Sequence, residues 1–173
     1  MLISAEYAAR QGKVGGLHQR VVAAVARGEL TLVFSRNMAE RLAARLRGAV
    51  GLTPDAAEDL AAAYVALADP PGLLTRDQPV LALGMGPHAE EDARVAEAAL
   101  AGRADYLVTY NDADFLPAAA PHPVTGRPAI LGVQIVRPIE LARVMGWPLD
   151  HVPTQAPPEA AASRSEVRRT RGW

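Results

Sequence analysis

The stretch that most constrains this chain runs from His88 to Pro117, HAEEDARVAEAALAGRADYLVTYNDADFLP. It begins with three consecutive acids, Glu90, Glu91 and Asp92. The alanine-rich segment from Glu90 to Ala101 is predicted to be a helix, and the apolar run Tyr106 to Thr109 a short strand. Asn111, Asp112 and Asp114 follow directly. A helix leading into a strand, with oxygen-bearing side chains at the helix start and just past the strand end, is a way to bring carboxylates together.

The rest of the chain supplies a setting for that unit. Leu17, Val21, Val22 and Val25 keep helical spacing up to Gly28. Leu30 to Phe34 (LTLVF) reads as a buried strand. Ser35 and Asn37 are placed to cap a helix through about Arg47, with Met38, Leu42 and Leu46 on its apolar side. Thr53-Pro54-Asp55 opens another helix, to about Ala68. Residues 69–89 read mostly as loop, with a short strand at Val80–Leu83. A loop is expected over 116–128, a strand over Ile130–Val136 and a last helix over Pro138–Met145. From Pro153 the composition turns to Pro, Ala, Ser and Arg. The division is therefore one domain over 1–150 and a disordered tail over 151–173. Helices alternating with short apolar runs predict an α/β fold with a mainly parallel sheet, in which ligands bind at the carboxyl ends of the strands.

Each acid has a bland explanation as well as a functional one. Asp92 lines up with Ala96 and Ala99 on a packed face, yet acids in a first helical turn are favoured by the helix dipole alone. Glu90 and Arg94 have i,i+4 spacing. Asn111, Asp112 and Asp114 suit a turn. Glu40, three residues after Asn37, suits a capping box; it is also a carboxylate just beyond the Leu30–Phe34 run. If that run and the later strand are parallel neighbours, Glu40 and Asp114 approach from one edge. The joint occurrence favours function, because gathered carboxylates repel one another unless a cation is present. Mg²⁺ and Mn²⁺ take oxygen ligands, and they orient and activate water in phosphodiester cleavage. An Asn amide oxygen serves as a further ligand or holds a bound water.

Other chemistries fit less well. The sequence has no cysteine, which excludes disulfides, thiolate metal sites and cysteine nucleophiles, and suits a reducing cytoplasm. It has no phosphate-cradling glycine motif after a strand, no zinc-like spacing of its four histidines (His18, His88, His122, His151), and no membrane-length apolar run. A net charge of −1 argues against a uniformly basic surface.

Three segments carry a family resemblance: Leu2-Ile3-Ser4-Ala5, LTLVFSRNMAERLAARL, and EEDARVAEAALAGRADYLVTYNDADF. Over residues 1–145 the chain resembles PIN-domain proteins, of the bacterial type that acts as the toxin of a toxin–antitoxin pair. The resemblance implies a three-layer α/β/α fold and Mg²⁺- or Mn²⁺-dependent RNA cleavage. It makes Glu40, Asp92 and Asp114 the acidic residues of the site and places Asn111 where relatives carry Asp or Asn. Thr109 supports the site through its hydroxyl. It also implies RNA as substrate, an antitoxin protein as partner, and homodimers as in many relatives. The family opens with a strand ending in Asp-Thr-Asn or a similar triplet, and Met1 falls just after it. The expectation is an N-terminally truncated domain whose first strand and aspartate lie upstream of a misplaced start. In-frame upstream DNA lacking such a run would sink it. The alternative function is a catalytically inactive RNA- or protein-binding module.

Overall fold

Capping side chains and chain-reversing residues set where the helices start and stop. The computed structural model describes residues 16–75, 81, 83 and 89–149. Helix α1, Leu17–Ala26, is entered at Gly16, whose N–H donates to Gln19 Oε1 at 3.3 Å, and is left through Gly28 at φ 72°. Helix α2, Arg36–Ala49, is capped by Ser35, whose hydroxyl accepts from the Met38 N–H at 3.3 Å. Helix α3, Pro54–Leu67, has Thr53 as its cap and proline in its first turn. Helix α4, Ala89–Ala101, carries the three acids at its start and buries Ala93, Ala96, Ala98 and Ala99. Helix α5, Pro138–Val144, closes the described fold.

Among the described residues, four strands form one sheet in the order β1–β4–β3–β2. They are β1 (Tyr106–Val108), β2 (Ala120–Pro121), β3 (Pro128–Ile130) and β4 (Val133–Val136). The β1–β4 pairing is parallel, with Val108 opposite Val136; β4–β3 and β3–β2 are antiparallel. The sheet is mixed, which corrects the expectation of a mainly parallel one. Its cause is local. The single strand expected over Ile130–Val136 breaks at Leu131 (φ 48°) and Gly132 (φ 96°), and two consecutive left-handed residues make the tight turn of a hairpin. Part of the loop expected over 116–128 becomes β2 and the start of β3 as a result.

Side-chain alternation along the strands gives the layers. Leu107 and Ile135 point into a core shared with Ala93, Ala96 and Ala99 of α4. Tyr106, Val108 and Val136 point the other way, towards Val21 of α1 and Leu141 of α5. The sheet is thus sandwiched between α4 on one face and α1 with α5 on the other, an α/β/α arrangement. Helices α2 and α3 pack on each other through Leu42, Ala43 and Leu46 against Ala57, Ala61 and Tyr64.

The Leu30–Phe34 run does not become a full strand. Leu32 makes an isolated parallel bridge with Ala68, and Ser35 one with Leu73. A cleft of about 780 Å³ separates this run from β1. Among the described residues its walls include Phe34, Met38, Val95, Val108 and Leu141, drawn from all three apolar clusters. The expectations for Met1–Ala5 and for 151–173 lie outside the described residues, as do residues 80 and 82 of the Val80–Leu83 strand.

Candidate functional site

The carboxyl end of β1 leads into a short, heavily hydrogen-bonded loop. Thr109 donates its backbone N–H to the Val136 carbonyl at 3.0 Å, so it still belongs to the β1–β4 ladder. Its hydroxyl oxygen accepts the Asn111 N–H at 3.0 Å. Asp112–Asp114 then form a 3₁₀ turn, closed by the Phe115 N–H donating to the Asp112 carbonyl at 3.0 Å. Phe115 is 2% exposed and sits in the core with Leu107, so an apolar anchor holds the far end of the turn. Inside the turn, the Asn111 amide nitrogen donates to the Asp114 carboxylate. That contact leaves the Asn111 carbonyl oxygen to face another group.

The α4 start contributes the second set of acids. Glu90 pairs with Arg94 one turn on, at 2.5 Å. Glu91 takes two arginines from α2, Arg41 at 3.0 Å and Arg45 at 3.6 Å. Asp92 lines the cleft, as do Thr109 and Phe115. The cleft therefore has two carboxylates on its α4 wall, Glu91 with its arginines and Asp92, and Thr109 and Phe115 on the β1 side.

The sequence-predicted residues fare differently. Thr109, Asn111 and Asp114 are joined by the bonds just described. Asp92 shares the cleft with Thr109. Glu40 is exposed on α2 and outside the cleft walls. The capping box weighed for it does not form, because Ser35 caps α2 and the Asn37 amide turns to the Thr75 hydroxyl at 3.4 Å. Among the described residues no three His, Asp or Glu side chains gather closely enough to hold a metal ion. Asp92 lines the cleft, whereas Asn111 and Asp114, like Glu40, are not among its lining residues; all four side chains offer oxygen donors. That donor set suits Mg²⁺ or Mn²⁺ rather than a soft metal.

Two features escaped sequence reasoning. Arg137 grips Asp112 through Nε at 3.1 Å and its terminal nitrogen at 2.9 Å. The guanidinium holds the Asp112 carboxyl below its ordinary range, and Asp112 in turn raises Arg137. The signal was present: with Val108 opposite Val136, the residue after β4 emerges beside the loop after β1. The His18 ring packs on Tyr110, 5.1 Å between centroids, with Nε2 buried and unbonded. Burial lowers the His18 pKa and raises that of Tyr110.

Residues 3–113 match a family model described as PIN domain. Neither a curated protein nor a solved structure matches the chain. Among the described residues, no helix is long and apolar enough to cross a membrane.

Proposed function

The chain belongs to the PIN-domain family, whose members are generally nucleases, and from that premise we propose that it is a metal-dependent endoribonuclease. The observation that supports this reading is the pair of oxygen-bearing side chains that follows Thr109 at the end of β1, Asn111 bonded to Asp114, with Thr109 and Asp92 lining one cleft. In this reading Asp92 and Asp114 would hold Mg²⁺ or Mn²⁺, and the Asn111 amide oxygen would be a further ligand. Glu40 precedes Arg41, whose contact with Glu91 ties that part of α2 to the α4 start, and it acts as the third carboxylate. A bound ion would supply positive charge against the phosphodiester and activate water for attack. Thr109 keeps Asn111 in place. Arg41 and Arg45 present positive charge to substrate phosphates. The toxin role, an antitoxin partner, a homodimer and a cytoplasmic location belong to the same proposal.

The test is cleavage of single-stranded RNA by the full chain in Mn²⁺, with isothermal titration of Mn²⁺ alongside. Asp92→Asn and Asp114→Asn are each expected to lower cleavage on the order of 100-fold or more, beyond what loss of an outer-shell partner costs. Cleavage that survives both substitutions overturns the assignment. Retention of RNA without cleavage assigns the binding-module alternative instead.

A further inference from the structure

We infer that Arg137 is a positioning residue, which by its two-pronged grip on Asp112 fixes the turn that presents Asp114. The inference rests on the nuclease reading for its consequence and on the loop geometry for its substance.

The grip begins from a fixed base. Arg137 stands between Val136, 1% exposed, and Pro138, also buried. Its own N–H donates to Glu140 Oε2 at 2.6 Å, and the Val136 carbonyl accepts from Thr109. The backbone beneath the arginine is thereby held on both sides. The side chain crosses from the end of β4 to the loop after β1 and meets both Asp112 oxygens, at 3.1 and 2.9 Å. A planar guanidinium meeting a carboxylate in this way sets direction as well as distance.

The grip then acts on Asp114 through the chain. Asp112 and Asp114 are the two ends of one 3₁₀ turn. Phe115 pins the far end of the turn in the core, and Arg137 pins the near end. Asp114 lies between the two pins, with Asn111 bonded to its carboxylate. The ion pair has a second effect. It neutralises one of the two carboxylates in the turn. Asp112 is thus the acid of this loop that is committed to an arginine, which leaves Asp114 as the carboxylate presented for a ligand.

Two measurements on the full chain test this. The first is amide hydrogen exchange in metal-free protein. Arg137→Ala is expected to speed exchange of the Phe115 N–H, bonded to the Asp112 carbonyl, by about tenfold or more, while Leu107 and Ile135 in the sheet core keep their rates. Unchanged Phe115 exchange overturns the inference, whether or not the chain cleaves RNA. The second is Mn²⁺ titration. Arg137→Ala and Asp112→Asn are each expected to weaken Mn²⁺ binding on the order of tenfold, the lower end of what loss of an outer-shell partner costs. The exchange pair Asp112→Arg with Arg137→Asp is expected to recover most of it. An Arg137→Ala enzyme with normal Mn²⁺ affinity and a raised KM for RNA makes the arginine a phosphate ligand and sinks the positioning role. Wild-type chain that binds no Mn²⁺ fails the nuclease reading; the exchange result alone then decides the grip.

Discussion

Two apolar runs face each other across one cleft, and they have met different fates. Tyr106–Val108 is a strand, paired along its length with β4 and covered by α4 on one face and by α1 and α5 on the other. Leu30–Phe34 is longer and also rich in β-prone residues, yet among the described residues its neighbourhood makes only the bridges at Leu32 and Ser35. Thr31 is exposed and Leu32 and Val33 half-buried, whereas Leu107 is buried. Propensity is nearly equal, so the difference lies in the neighbours. A run becomes a strand when another strand takes its N–H and C=O groups and helices take its side chains. The loop carrying Asn111 and Asp114 grows from the run that met both conditions.

The largest effect should separate the two runs directly. Leu107→Ala removes a buried side chain packed among β3, β4 and α4, and is expected to cost about 2–5 kcal/mol in urea unfolding. Leu32→Ala, at a half-buried position, should cost less than half as much. Equal costs would mean that the Leu30–Phe34 wall is packed as tightly as β1, and the comparison would fail.

A smaller effect comes where the Leu30–Phe34 run meets the turn just after α4. A Cβ added at Gly102 would lie 2.3 Å from a Val33 methyl carbon and 2.8 Å from the other. Gly102→Ala must therefore push Val33 aside and is expected to cost about 1–3 kcal/mol. Adding Val33→Ala should recover part of that loss, so a double-mutant cycle in urea should show clear coupling. Strict additivity would show that the Leu30–Phe34 run yields without resistance and is looser than described.

What the sequence made legible follows the same division. Helix starts and stops were readable because Ser35, Thr53, Pro54 and Gly28 act on their immediate neighbours. The β1 end, with Thr109, Asn111 and Asp114, was readable for the same reason, since three residues bond within a short segment. Pairings set by distant segments were not. The turn at Leu131 and Gly132 was hidden because leucine seldom takes a positive φ, so the segment looked like one strand. Arg137 meets Asp112 across 25 residues, and the contact becomes visible once the β1–β4 register is known. Glu40 was grouped with the other acids on the family resemblance, and its approach to Asp114 was expected only if the Leu30–Phe34 run pairs beside β1. The structure puts a cleft between them instead.

The smallest expected effect concerns pH, and it should fall on the β1 side of the cleft. His18 stacks on Tyr110, directly after Thr109, and Val21 on the same helix packs with Val136. Burial lowers the His18 pKa, so the folded protein takes up the proton less readily than the unfolded chain does. The unfolded chain then binds more protons in the window below the ordinary histidine value of about 6.5. Stability from a neutral His18 is complete above that value and is lost as the pH falls through the window. Tyr110, raised by burial, stays neutral throughout and contributes no opposing change. Urea midpoints at pH 7.5 and 5.5 should therefore fall further for the wild type than for His18→Gln. If the two fall equally, the acid sensitivity comes from elsewhere, and His18 does not couple the end of β1 to pH.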